Sequence, residues 1–348
     1  MARTGTSNAE IPCYLLQLTR VTSDDSLPEF TDQEDLSDLS DVKVPVYLRD
    51  CLNNLMNDEP DLLEVTLHNL AALIRGAPDD LDELSVPIAN ALIHLNNEYQ
   101  LRDFDKCLTD SLTALIAGST AKVVTFITAQ FYAANYSLQQ RMLMLDVLTR
   151  GARELSALPK INNTPANEPR NTQLTLTSHT TVTRAITRPA PPKTAINKFA
   201  PHAGLFIYPL LQQYDRKSAL LDLYHQDGIV LGQLLYSLGV FVECLNGNAA
   251  APVLLQIAQA LLEVVWAVRH HPALTVRRAV LYLCVSLCSS LPLAVLSADE
   301  LRGEFSELLA WGVSVVKGES DEDCRVLATA LVTKLVQLID QNALQIDA

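Results

Sequence analysis

The sequence predicts an all-α protein, an α-solenoid of paired helices, and three observations lead to this fold class. Leu, Ala and Val dominate a chain of 348 residues that is 49% hydrophobic, so a large core can be buried. Only 12 Gly and 6% aromatic residues are present, fewer turn residues than a β-sandwich or barrel of this length needs. Apolar residues also recur at helical spacing in segments separated by short polar breaks. Helical pairs joined by short turns are typical of an α-solenoid.

Twelve segments carry the helical pattern. The first follows Pro45 and places Leu48, Leu52 and Leu55 on one face. The others are expected at 61–75, 81–96, 103–117, 121–133, 138–155, 205–213, 229–245, 252–270, 274–290, 299–316 and 321–340. Capping boxes are predicted at Ser137 to Gln140 and at Ser320 to Asp323. The sixth segment carries one apolar stripe, formed by Leu138, Met142, Leu145 and Leu148.

Composition divides the chain into four regions. Residues 1–42 are predicted to form a disordered acidic arm, because 21–41 contain eight acidic residues and no Lys or Arg. A helical domain follows at 43–156. Residues 157–198 hold six prolines and six basic residues against one acid, which predicts a basic linker rich in Pro and Thr. A second helical-repeat domain is expected at 199–348.

Two helix starts in the second domain resemble each other. Val276-Arg277-Arg278-Ala279 and Cys324-Arg325-Val326-Leu327-Ala328 both place an arginine ahead of small and large apolar residues. This pattern resembles the inner helices of HEAT-type repeats, although no strict period of 40 to 47 residues is visible. We therefore expect degenerate HEAT-like helical pairs.

Charge and targeting signals restrict the environment and the partners. The net charge of −14 opposes direct binding of nucleic acid or of anionic membrane. Met1 is not followed by a secretory signal, so we expect the protein in the cytoplasm and nucleus. The most apolar stretches, 229–245 and 279–298, are interrupted by polar residues or Pro, which favours buried helices over membrane insertion. Seven cysteines fit reduced thiols without disulfides.

No motif for catalysis or for a cofactor occurs in the sequence. Phosphate-binding loops, dinucleotide fingerprints, nucleophile elbows, H-E-x-x-H and C-x-x-C are all absent. Cys284 and Cys288, with His270 and His271 upstream, permit a metal site. Two small apolar residues on a buried helix face explain the same cysteines better. We therefore predict a protein without enzymatic activity, metal or cofactor.

The acidic arm is the best functional signal in the residues themselves. Ser23 precedes Asp24 and Asp25, while Thr22 and Ser26 each have an acid three positions on, as a kinase of the casein kinase two type prefers. A phosphate adds roughly −1.5 to −2 charge and suits a pocket lined by Lys or Arg. The alternative is an acidic solubilising tail that has no partner.

Four blocks resemble one known family. They are Pro45 to Cys51, Gln130 to Met142 with its continuation to Leu148, Asn197 to Pro201 with Phe206 to Leu211, and Asp321 to Arg325. Their order and residues are similar to the telomere length regulation protein family, and they cover most of 43–340. The family's longer N-terminal helical region has no counterpart, so the chain looks like a C-terminal portion.

The resemblance implies a helical cochaperone adaptor. Family members are scaffolds of the three-protein TTT complex, which helps the chaperone of ninety kilodaltons mature phosphatidylinositol-3-kinase-related kinases of the TOR and ATM types. The implied partners are therefore two other TTT subunits, these kinases, that chaperone, and the PIH-domain adaptor of an assembly with RuvB-like ATPases.

The family's adaptor-binding motif is a phosphorylated serine followed by acids. It carries over to Ser23, Asp24 and Asp25, although Thr22 and Ser26 stand where the motif has further acids. Weaker candidates for the same motif are Ser37 with Asp38 and Ser40 with Asp41.

In the second block we expect Leu138, Met142 and Leu145 in the core, which leaves four exposed interface candidates: Asn135, Tyr136, Gln139 and Arg141. The alternative functions are a telomeric DNA-associated protein or another helical protein-interaction module.

Overall fold

The computed structural model describes residues 43–57, 59–156, 197–215, 221–245, 251–292 and 299–346. Within these ranges the chain forms twelve α-helices, one turn of 3₁₀-helix at Ala200–His202, and no strand. The helices are α1 Leu48–Leu55, α2 Pro60–Arg75, α3 Leu81–His94, α4 Phe104–Gly118, α5 Thr120–Gln130, α6 Leu138–Ser156, α7 Ala203–Leu211, α8 Gly228–Leu245, α9 Ala251–Val268, α10 Leu274–Ser290, α11 Asp299–Gly318 and α12 Glu322–Ile346. Each corresponds to one predicted segment. The largest difference is in α12, which continues past 340 to Ile346.

The helices pack in two rows, and this confirms the predicted all-α solenoid. In the even row α2, α4, α6, α8, α10 and α12 each contact the next, while in the odd row α1, α3, α5, α7 and α9 do the same. Trp266 of α9 donates from Nε1 to Glu304 of α11, which extends the odd row. Each odd helix also packs against the even helix that follows it. Six helical pairs therefore share one continuous core.

The repeat spacing appears in the contacts rather than in the letters of the sequence. The Ser286 hydroxyl donates to Glu243 Oε1 at 2.8 Å, and Arg278 binds Asp321 at 2.6 Å, each across 43 residues. Such a separation between neighbouring even-row helices lies inside the range for HEAT-type repeats. The repeats are degenerate because this spacing depends on packing positions, which many apolar residues can fill.

An arginine occupies the fourth position of three even-row helices. Arg141 of α6, Arg277 of α10 and Arg325 of α12 each turn back onto carbonyl groups of the preceding turn. Arg277 Nη1 donates to the Pro272 carbonyl at 2.6 Å, and Arg325 Nη1 donates to the Ser320 carbonyl at 3.0 Å. The similarity expected between the starts of α10 and α12 therefore has a structural basis, and α6 shares it.

Helix α8 lies at the centre of the even row, where α6, α7 and α10 cover it. Of the helices that the structure describes, it alone is long and apolar enough to cross a membrane by composition, with a mean hydropathy of 1.7 over 18 residues, of which 72% are buried. Its apolar character is typical of a core helix that is covered on several sides.

Two local predictions were wrong. The Cys324 amide donates to Asp321 Oδ2 at 3.0 Å, so Asp321 rather than Ser320 caps α12. Leu138, the first residue of α6, is 46% exposed, whereas Leu145 and Leu148 are buried as expected. The acidic arm and residues 157–196 lie outside the described residues, and the division into regions stays a prediction.

Candidate protein-interaction site

The turn between α5 and α6, residues 131–137, is held by a buried arginine. Arg141 Nε donates to the Phe131 carbonyl at 2.9 Å, Nη2 donates to Ala133 at 2.7 Å, and Nη1 donates to Tyr136. Arg141 is 2% exposed, so the prediction that it lies at the surface was wrong. The turn leaves these carbonyls without helix partners, and a planar guanidinium can satisfy all three at once. Burial lowers the pKa of Arg141, and the charge of Asp227 opposes that shift.

Tyr136 was also expected at the surface, and the structure buries it to 4% exposure. Its ring stacks on the His94 ring of α3 with centroids 4.9 Å apart. The hydroxyl faces Asn90 Oδ1 at 3.5 Å, and burial raises the pKa of Tyr136. The α5–α6 turn therefore closes against the second half of α3, 46 residues away in sequence. Local periodicity carries no signal for such a contact.

The predicted capping box at the start of α6 is confirmed. The Ser137 amide donates to Gln140 Oε1 at 2.8 Å, and the Gln140 amide donates to Ser137 Oγ at 3.2 Å. Gln140 also donates from Nε2 to the Ile93 carbonyl at 3.1 Å. The Gln140 side chain therefore makes both a cap and a tertiary contact, and only the cap is predictable from the local sequence.

Asn135 and Gln139 are the two interface candidates that reach solvent. Asn135 lies in the α5–α6 turn, and Gln139 lies in the first turn of α6. Arg141 and Tyr136 hold this turn on its buried side, so the backbone positions of both candidates are set before any partner binds. The phosphorylation candidates lie outside the described residues, and their role stays a prediction: Thr22, Ser23, Asp24, Asp25, Ser26, Ser37, Asp38, Ser40 and Asp41.

The thiols of the described residues are suited to packing. Cys284 and Cys288 are buried in α10; burial raises the pKa of Cys288 to about 12 and that of Cys284 well above its usual value. His271 is engaged by backbone groups, because its Nδ1 accepts from the Ala273 amide at 3.1 Å and its Nε2 faces the Tyr224 carbonyl at 2.7 Å. No group of three or more His, Cys, Asp or Glu side chains suited to a metal occurs among the residues that the structure describes.

Comparison with known proteins places this turn in a known family segment. Residues 45–152 match the family model described as "Telomere length regulation protein". The human protein named "Telomere length regulation protein TEL2 homolog" is 34% identical over 351 residues, covering 92% of this chain. The chain belongs to the telomere length regulation protein family. The Xenopus tropicalis member of that name is 32% identical over 315 residues, or 84% of this chain. The chain spans 42% of the human family member and 38% of the Xenopus tropicalis member.

A solved structure from work on "Tel2 structure and function in the Hsp90-dependent maturation of mTOR and ATR complexes" is also similar. It is 19% identical, with a TM-score of 0.47, and the match covers 75% of this chain and 37% of that one.

Blocks that resemble the family meet in the fold. Tyr132, in the second block, donates its hydroxyl to the Leu210 carbonyl in the third. Asn197 opens the third block; its Oδ1 accepts from the Phe199 amide at 2.9 Å, and its Nδ2 donates to the Cys244 carbonyl at 2.7 Å. Phe199 packs with Phe206 and Phe241 in an aromatic cluster of edge and tilted contacts. These contacts join the α5–α6 turn, α7 and α8 into one packed junction.

Proposed function

We propose that this chain is a non-enzymatic scaffold and cochaperone adaptor that supports maturation and stability of phosphatidylinositol-3-kinase-related kinases, of the TOR and ATM types, with the ninety-kilodalton chaperone. The observation that carries the proposal is its 34% identity, over 92% of its length, to a family member. The Tel2 work named above concerns Hsp90-dependent maturation of mTOR and ATR complexes. Two rows of parallel helices suit this role, because solenoids present extended surfaces to several partners.

The proposed partners are two other subunits of a TTT complex, the kinases, the chaperone, and the PIH-domain adaptor with its RuvB-like ATPases. The adaptor binds the arm when Ser23, followed by Asp24 and Asp25, is phosphorylated. A phosphate and two carboxylates together offer a dense set of acceptors to Lys and Arg. The proposed location of these assemblies is the cytoplasm and nucleus.

A capture experiment tests the proposal. The full chain is recovered from its own cells, and bound proteins are identified by mass spectrometry. The test variant carries Ser23→Ala, Asp24→Ala and Asp25→Ala. The matched control carries Ser37→Ala, Asp38→Ala and Asp41→Ala, and it also loses one hydroxyl and two carboxylates. We expect TTT subunits, kinase and chaperone with every form, and the PIH-domain adaptor lost with the test variant alone. Recovery of no TTT subunit by the wild type contradicts the proposal.

A further inference from the structure

An apolar groove opens between α1 and α3 at the surface of the odd row. It encloses about 430 Å³ and is lined by Leu52, Leu55, Met56, Pro87, Asn90, Ala91, His94 and Leu95. Met56 is 74% exposed at its rim. An exposed, flexible thioether of this kind is typical of surfaces that receive apolar side chains of a partner.

The two polar lining residues already have partners on the protein side. His94 stacks on Tyr136, and its Nδ1 lies 3.4 Å from Gln140 Nε2. Asn90 Oδ1 faces the Tyr136 hydroxyl. The α5–α6 turn and the start of α6 therefore support the α3 side of the groove through these contacts. The remaining lining is apolar and preformed, so an occupant needs apolar side chains more than hydrogen-bonding groups.

The surroundings of the groove are acidic. The stretches 47–61 and 82–100, which hold every lining residue, contain seven Asp and Glu residues and one basic residue, Arg49. Two of these acids are already paired, Glu83 with Arg49 at 3.6 Å and Asp82 with Lys122 at 3.1 Å, which leaves five acids against no unpaired Lys or Arg in the two stretches. The C-caps of α1 and α3 are Met56 and Leu95, both lining residues, so the negative ends of two helix dipoles also face this site. The charges around the groove therefore favour a basic occupant.

We propose that the α1–α3 groove is a docking site for an amphipathic helix of a partner protein, with apolar anchors toward the groove and Lys or Arg along its margins. The lining of α3 runs from Pro87 to Leu95, which is about two helical turns. Such a length accommodates anchors at i, i+3 or i+4, and i+7 of the bound helix. Glu59 and Glu98, both exposed and each three positions beyond a lining residue, are placed to pair with the basic margins. The inference deepens the proposed scaffold function and rests on it.

Two synthetic helical peptides of 18 residues provide the test. Both carry the same stripe of Leu, and one has Lys and the other Glu at the margins. Binding to the full chain is measured by fluorescence anisotropy. We expect the Lys peptide to bind at least about tenfold more tightly than the Glu peptide, and Met56→Asp to weaken it by a similar factor. Ile229→Asp is the control, because Ile229 is 62% exposed, far along the chain at the start of α8.

A second variant tests the proposal without changing Met56, so that its result does not depend on how Met56→Asp affects folding. Glu59→Lys combined with Glu98→Lys is expected to reduce or reverse the preference for the Lys peptide while circular dichroism stays unchanged. Equal binding of both peptides, binding of neither, or equal weakening by Ile229→Asp overturns the proposal. Self-association of the chain that Met56→Asp abolishes also overturns it, in favour of a second copy as occupant. If the capture experiment recovers TTT subunits while the peptides fail, only the groove inference is lost.

Discussion

Arg278 of α10 binds Asp321, the cap of α12, through two parallel bonds: Nε to Oδ2 at 3.0 Å and Nη2 to Oδ1 at 2.6 Å. The neighbouring Arg277 binds Glu319 in the same two-pronged manner, with Nε to Oε2 at 3.0 Å. Two side-by-side pairs thus connect the start of α10 with the turn that leads into α12. Bidentate pairs of this kind fix both distance and orientation.

The Arg278–Asp321 pair makes stability depend on pH. Hydrogen bonding to Arg278 holds the pKa of Asp321 well below its usual range. A depressed carboxyl pKa in the folded state stabilises the protein above the unfolded value of about 4, and this contribution is lost as pH falls further. We expect Asp321→Asn to reduce the free energy of unfolding by about 1–2 kcal/mol at pH 7. In urea titrations the difference from wild type should narrow below about pH 4; a constant difference down to about pH 2 would contradict the pairing.

Arg141→Met tests the role assigned to the buried guanidinium. Methionine keeps much of the aliphatic part of the side chain but leaves three carbonyls of the α5–α6 turn without a donor. We therefore expect the free energy of unfolding to fall by about 3 kcal/mol. Arg141→Lys should reduce stability less than Arg141→Met, because its ammonium can still donate to some of these carbonyls. It should remain less stable than the wild type, because one ammonium cannot bridge all three acceptors. Gln139→Ala, two residues away and exposed, is the control and should change stability by less than about 0.5 kcal/mol. Thermal unfolding of both variants checks this. A similar loss of stability for Gln139→Ala and Arg141→Met would argue against the role of Arg141 in holding the turn.

The two serines near helix starts should behave differently. Ser137→Ala removes the acceptor of the Gln140 amide and should cost about 1 kcal/mol. Ser320→Ala should cost much less, because Asp321 provides the cap of α12. Chemical denaturation of both variants and of Asp321→Ala compares the sites directly. If Ser320→Ala lowered the free energy of unfolding as much as Ser137→Ala, Ser320 rather than Asp321 would be the capping residue of α12.

Two helical glycines separate packing from helix propensity. A Cβ on Gly151 of α6 would lie 2.4 Å from Ile116 Cγ2 of α4, so Gly151→Ala should destabilise the protein by about 1–3 kcal/mol. A Cβ on Gly303 of α11 meets nothing within 4 Å, so Gly303→Ala should stabilise it by about 0.5–1 kcal/mol. Differential scanning calorimetry measures the change in melting temperature of each variant. Opposite signs are the expectation, and a stabilising effect of Gly151→Ala would contradict the close approach of α4 and α6.

Helix positions and one cap were predictable because their causes are local. The periodicity of Leu48, Leu52 and Leu55 lies within about two turns of chain, and so does the exchange of hydrogen bonds between Ser137 and Gln140. The structure buries Leu48 and Leu55 as predicted, with Cys51 rather than Leu52 as the third buried residue of α1. The family resemblance likewise depends on residue identity, and the comparisons confirm it. The phosphorylation candidates in the acidic arm stay predictions.

For the part of the chain that the structure describes, local sequence was sufficient to predict the order and approximate bounds of the helices, and residue identity was sufficient to predict the family. Tertiary structure alone decided which polar residues are buried. Arg141 and Tyr136 are covered because carbonyls of a turn and a ring from α3 meet them, while Leu138, in the same first turn of α6 as Arg141, stays exposed. The physical reason is that burial depends on neighbours brought from distant parts of the chain. The α1–α3 groove exists for the same reason, since neither helix forms it without the other.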